Sequence, residues 1–197
     1  MIHIITLTGP CCSGKSTLEK VMVEHGFGKV ISVTTRPIRQ GEVDAKDYYF
    51  VAPEYFDMMD AAGQFVECVD FNGYRYGVSV AEIQRLALLG KPIVVVCDPH
   101  GKRQFKVAGR KHGWTVHSVF VDQPDEVLIE RLLLRAMNDK LADPEVYRSR
   151  LRFLLDSERH WRDKAGRYDD YVVPSDMDWL TFYAQDWMDE IRGDSAA

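Results

Sequence analysis

Cysteine is scarce in this chain of 197 residues, with four positions: Cys11, Cys12, Cys68 and Cys97. None belongs to a CxxC pair and no second cluster accompanies them, which excludes a zinc finger and a disulfide framework. That usage is the reduced, intracellular pattern. Long apolar runs are also missing. No stretch approaches the roughly 18 consecutive apolar residues of a bilayer-spanning helix. The first residues lack the basic region and apolar segment of a secretory leader. The expected location is cytoplasmic, with no membrane partner. Positive charge is in deficit, 25 Lys and Arg against 30 Asp and Glu, for a net charge of −5. That sign disfavours broad electrostatic binding to nucleic acid and leaves room only for a local basic pocket. There is no internal repeat and no low-complexity segment. With 46% hydrophobic residues, one domain can bury a normal core without metal or disulfide.

Chemistry enters at GPCCSGKST (9–17), directly after the apolar run IHIITLT. Glycine, four residues, glycine, lysine, serine is the spacing of a phosphate-cradling P-loop. Successive backbone N–H groups and a helix N-terminus attract phosphate oxygens there. Gly9 and Gly14 allow the backbone an approach that a side chain would block. Lys15 is placed to reach the β- and γ-phosphates of ATP, and the Ser16 hydroxyl to bind Mg²⁺. Pro10, Cys11, Cys12, Ser13 and Thr17 complete the ATP-binding loop. Small residues suit the variable positions of Cys11 and Cys12; redox control there is the less favoured reading.

Along the chain, strands are expected at 2–8, 29–35, 47–51, 91–98, 116–121 and 170–173, and a strand pair over 65–77 turns near Asn72–Gly73. Helices are expected at 15–25, 54–63, 80–89, 99–111, 125–135, 145–163 and 177–191. The β-branched run KPIVVVCD suits a strand covered on both faces. The alternation predicts an α/β protein: a parallel central sheet between helical layers, with an inserted β-rich lobe.

SVTTRPIRQGEVDAKDYYFV (32–51), with the P-loop and GYRYG (73–77), closely resembles the guanylate kinase family, over a match running from the first strand to about residue 160. The resemblance implies a P-loop NTPase three-layer fold in a single domain. Its core would be 1–31, 80–135 and 149–197, its monophosphate-binding lobe 32–79 and its small lid 136–148. It implies an ATP-dependent nucleoside monophosphate kinase acting on GMP or dGMP, with ATP and Mg²⁺ as cofactors and nucleotides as small-molecule partners, as a monomer or homodimer. Arg36, Arg39, Tyr48 and Tyr76 match the acceptor-phosphate clamp, chemically coherent because guanidinium groups grip phosphate bidentately. Glu67 and Asp98 match the carboxylates that accept hydrogen bonds from guanine N1–H and the 2-amino group. Asp98 has a second reading, in the magnesium shell. Ser32 matches another guanine contact. Arg131 and Arg135 match the lid's RxxxR element. Arg148 or Arg150 matches the following lid arginine, the RL pair favouring Arg150. Lys15, Arg36, Arg135 and Arg150 are the expected catalytic set, because phosphoryl transfer needs alignment and positive charge.

Four departures stand out. Val78 replaces the family's serine or threonine, whose hydroxyl donates toward guanine O6. That leaves open a modified or different (deoxy)nucleotide as acceptor. Ala136 replaces a glycine after the lid arginine, implying a stiffer hinge. Val96 replaces an acid. PSD (174–176) stands where an asparagine approaches adenine, with Ser175 as the candidate substitute. From another class, guanylate-kinase-like modules exist that bind phosphopeptides without catalysis, but those have degraded P-loops. A GTPase switch is disfavoured by the missing NKxD run, and a sugar-phosphate kinase by the intact TTRPIRQGE and Glu67.

Overall fold

A computed structural model describes residues 1–39, 41–71, 73–138, 143–174 and 177–194. Five strands form a parallel sheet: β1 (His3–Thr8), β2 (Gly28–Lys29), β7 (Ile93–Val96), β8 (Thr115–Asp122) and β9 (Tyr171–Pro174), in the spatial order β2-β7-β1-β8-β9. Alternation along these strands feeds two cores. Ile5, Leu7, Val94, Val119, Val121 and Val173 pack with α1 (Lys15–Glu24) and α8 (Met177–Asp194) through Leu18, Met22, Leu180 and Trp187. Ile4, Ile93 and Val95 face the other way, onto α3 (Val80–Leu88) and α4 (Pro99–His112) through Ile83, Leu86 and Phe105. A sheet buried on both faces is what the continuous apolar strands predict.

A second, four-stranded sheet carries β3 (Val33–Thr34), β4 (Tyr49–Phe50), β5 (Phe65–Phe71) and β6 (Tyr74–Ser79) in the order β4-β3-β6-β5. It packs on α2 (Pro53–Ala61), where Val33, Phe56 and Met59 are buried. Asn72, at the expected turn between β5 and β6, lies outside the described residues. The expected single strand 29–35 is two short strands, one in each sheet. Five of its seven residues are β-branched, but the chain leaves one sheet after Lys29 and joins the other at Val33. Glu82, 3% exposed, holds that crossing: it accepts from the Ile31 N–H at 3.0 Å and pairs bidentately with Arg85.

Past β8, α5 (Asp125–Asn138) and α6 (Pro144–Asp156) pack through Leu128, Leu132 and Leu154. The expected lid segment 136–148 includes 139–142, outside the described residues. The expected helix 145–163 is interrupted. Ser157, at φ −134° and ψ −59°, ends α6, and a 3₁₀ turn at Glu158–Trp161 leads into α7 (Arg162–Tyr168). No proline or glycine marks this break.

Candidate active site

Gly9 leaves the C-terminal end of β1 with φ +142°, and a Cβ there would stand 2.2 Å from the Val121 carbonyl oxygen. Only glycine fits. The loop then turns into α1 at Gly14, φ 102°. Lys15 donates to the carbonyls of Gly9 at 2.7 Å and Pro10 at 2.6 Å, so its ammonium is held at the loop's mouth. Burial lowers its pKa. The Arg131 guanidinium donates to the Cys12 carbonyl at 3.2 Å, joining α5 to the loop. Cys12, Gly14, Lys15, Ser16, Thr17, Arg131 and Arg135 line a cavity of about 470 Å³. Of the remaining loop residues, Ser13 is fully buried and its hydroxyl has no hydrogen-bond partner among the described residues.

A second cavity, of about 530 Å³, lies between the two sheets. Its walls bring together Gly9, Lys15, Ser32, Arg36, Arg39, Tyr48, Glu67, Tyr76, Asp98 and Arg150, which are distant in sequence. Lys15 therefore faces both cavities. Arg36 is 5% exposed and paired bidentately with Glu42, at 2.7 and 3.0 Å, which raises its pKa. Its guanidinium also lies 5.4 Å from the Tyr48 ring centroid, and Tyr48 meets Tyr76 edge-on. These contacts fix a cation and two phenols in one wall. In the same cavity, burial first and the charge of Asp98 second push the Glu67 carboxyl up to about 7. Asp98 caps α4, accepting from the Gly101 N–H at 2.7 Å. Gly101 permits Glu67 to approach, since a Cβ there would stand 3.1 Å from the Glu67 side chain.

Val78 does not line this cavity. It stands opposite Glu67 across β5 and β6, yet it is 1% exposed and packs with Val66, Ile83 and Val95; Gly77, not Val78, lines the cavity. Tyr74, Tyr76 and Val78 share a strand face, and that face runs from the cavity into the core as β6 approaches α3. Of the two lid candidates, Arg150 lines the cavity, whereas Arg148 is paired with Glu145 on an exposed surface. Ser175 lies outside the described residues.

Three functional neighbours escaped the sequence reading. Glu42, six residues after Arg36, also accepts from the Arg39 N–H at 2.8 Å and so organises both arginines; the run RPIRQGE was a signal available for it. Glu158 accepts from the Cys11 N–H at 2.8 Å, and burial raises its pKa. It and Trp161 line the second cavity from the 3₁₀ turn that follows the break at Ser157, a break without local signature.

Magnesium fits these residues in one way. Among the described residues no group of three or more His, Cys, Asp or Glu is arranged to hold a metal. Mg²⁺ takes one or two protein oxygens and fills the rest with phosphate and water. The Ser16 hydroxyl lines the P-loop cavity and suits that role, whereas Asp98 lies in the other cavity beside Glu67.

Comparison with known proteins agrees with this geometry. A family model described as guanylate kinase matches residues 1–156. The guanylate kinase of Rhodopseudomonas palustris is 35% identical over 176 residues, covering 88% of this chain and 74% of that protein. The pig guanylate kinase is 38% identical over 135 residues, 66% of each chain. The crystal structure of guanylate kinase from Anaplasma phagocytophilum superimposes with a TM-score of 0.66 at 26% identity, covering 98% of this chain and 86% of that one. The chain belongs to the guanylate kinase family.

Proposed function

We propose that this protein is an ATP-dependent nucleoside monophosphate kinase that phosphorylates GMP or dGMP to the diphosphate. The observation that carries the reading is Lys15, whose ammonium faces two cavities of different chemistry. One is built from main-chain amides at a helix N-terminus and suits the triphosphate of ATP. The other holds guanidinium and phenol groups together with two carboxylates. A 5′-monophosphate of guanosine presents the complementary pattern, a dianion at one end and two N–H donors at the other. The family membership supports the same substrates.

In this reading, Arg36, Arg39, Tyr48 and Tyr76 grip the acceptor phosphate, with Glu42 releasing or sharing Arg36 as the phosphate arrives. Glu67 and Asp98 accept from the base, and Ser32 borders it. Lys15 stabilises charge on the transferred group, joined by Arg135 and Arg150 from α5 and α6. Ser16 would hold a phosphate-bound Mg²⁺, which supplies neutralisation of the triphosphate charge. The acceptor phosphate oxygen is already anionic, so no general base is needed. The lobe 32–79 and lid 136–148 close over the pair and exclude water, which would otherwise compete as nucleophile.

ADP release measured with and without GMP, dGMP and a panel of other monophosphates tests this. Turnover that depends on a guanine monophosphate and vanishes in Lys15→Ala is the expected result. Acceptor-independent hydrolysis, or phosphopeptide binding without turnover, would overturn it.

A further inference from the structure

We propose that the adjacent thiols Cys11 and Cys12 make the P-loop a modification site, at which a low-molecular-weight disulfide caps Cys12 and closes the ATP cavity. The inference rests on the reading of that cavity as the ATP site. Cys12 lines it directly, among Lys15, Arg131 and Arg135. Its backbone is left-handed, at φ 64°, and among the described residues Ala45 is the one other non-glycine with positive φ. A side chain there carries backbone strain that glycine would avoid. The loop nonetheless carries a thiol at this position.

Cys11 supplies the second half of the device. Its Sγ lies 3.7 Å from the Cys12 Sγ, and its backbone N–H is fixed by Glu158. Both cysteines pack against the hydrophobic cluster of α5 and α6. The hydrogen bond between the thiols raises the Cys11 pKa and lowers that of Cys12 to about 6, with Arg135, Lys15 and Arg150 adding positive charge around the latter. Both shifts favour the thiolate at Cys12, which is the reactive form. The competing thiols are poorer: burial raises the pKa of both Cys68 and Cys97. An anionic reagent such as a glutathione disulfide is also drawn by the cationic lining.

The step balances without other reagents. The Cys12 thiolate attacks one sulfur of the disulfide, the reagent's S–S bond breaks, and a new Cys12 S–S bond forms. The departing thiolate carries the electron pair and takes a proton from water. Closure to an internal Cys11–Cys12 disulfide is disfavoured, because neighbouring Cα atoms are about 3.8 Å apart, below the usual minimum of about 4.4 Å for a bridge. The cap therefore persists until an external thiol removes it.

The test treats the full chain with oxidised glutathione, maps the adduct by mass spectrometry and measures ATP binding by calorimetry. The expected result is a single adduct on Cys12, formed about tenfold faster than on Cys68, slowed by ATP, abolishing ATP binding and reversed by dithiothreitol. In Cys12→Ser, ATP binding compared before and after treatment should not change. Cys11→Ala keeps the target thiol but removes its neighbouring thiol, and should slow capping severalfold. Preferential capping of Cys68, or a Cys12 adduct that leaves ATP binding intact, would overturn the proposal. Because adduct and ATP binding are read separately from turnover, a protein that binds ATP and loses it on capping, yet transfers no phosphate, would sink the kinase reading and leave this one standing.

Discussion

Glu67 pays for its position with its own ionisation. Its carboxyl titrates near 7 in the folded protein against an ordinary value of 4.5. Below pH 4.5 it is protonated in both folded and unfolded chains and costs nothing. Between 4.5 and 7 the unfolded chain loses the proton first, so stability falls as pH rises. Above 7 the full cost of about 3 kcal/mol is present. Glu67→Gln should therefore raise unfolding stability at pH 8 by about 2–3 kcal/mol and change little at pH 4, as denaturant titration at the two pH values would show. The same variant should bind GMP far more weakly, because an amide cannot accept from two N–H donors as a carboxylate does. In the natural protein, GMP affinity should fall about tenfold for each pH unit below 7. A flat profile between pH 5.5 and 7 would place the base elsewhere.

At the scale of elements, the crossing between the sheets controls how the lobe meets the core. Glu82 lies in the first turn of α3 and gathers the Ile31 N–H, Arg85 and the Tyr49 hydroxyl around one buried carboxylate, while its backbone N–H donates to the Ser79 cap. Glu82→Ala strands the Ile31 backbone donor, while the half-exposed Arg85 guanidinium turns to water, and should cost about 1–3 kcal/mol in thermal or chemical unfolding. Glu82→Gln keeps the shape and part of the bonding, and should cost less. None of this was legible in KVISVTT, which reads as one strand because β propensity says nothing about which sheet a residue joins. The break at Ser157 was hidden for a similar reason: α6 and α7 both have helical patterning, and the contact that accompanies the break, between Glu158 and the P-loop, is distant in sequence. The P-loop, by contrast, was readable because each position answers a local demand. Gly9 has no room for a Cβ and Lys15 must reach across the loop. The clamp arginines were readable only through family resemblance, since an arginine on a polar loop has no local signature.

Over the whole molecule, the two cavities depend on a core completed by residues beyond 156, where the family match ends. Leu180, Ala184, Trp187 and Met188 of α8 cover α1 directly behind the P-loop. The buried pair Lys102–Asp169, 2.7 Å, ties α4 to the chain entering β9, and the Thr8 hydroxyl donates to the same carboxylate. Lys102→Ala should cost about 3–5 kcal/mol by leaving Asp169 buried and unpaired. A double replacement by Met and Leu should recover most of it, measured by chemical unfolding. Among the described residues no helix is long and apolar enough to cross a membrane.

The central claim is that donor and acceptor phosphates lie end to end across Lys15. Adenosine and guanosine joined through a five-phosphate bridge test it most directly, by titration calorimetry. The expected result is one molecule bound per chain, at least about a hundredfold more tightly than ATP or GMP alone. Arg36→Ala and Lys15→Ala should each remove that gain. Binding no tighter than ATP alone, and indifferent to Arg36, would contradict it.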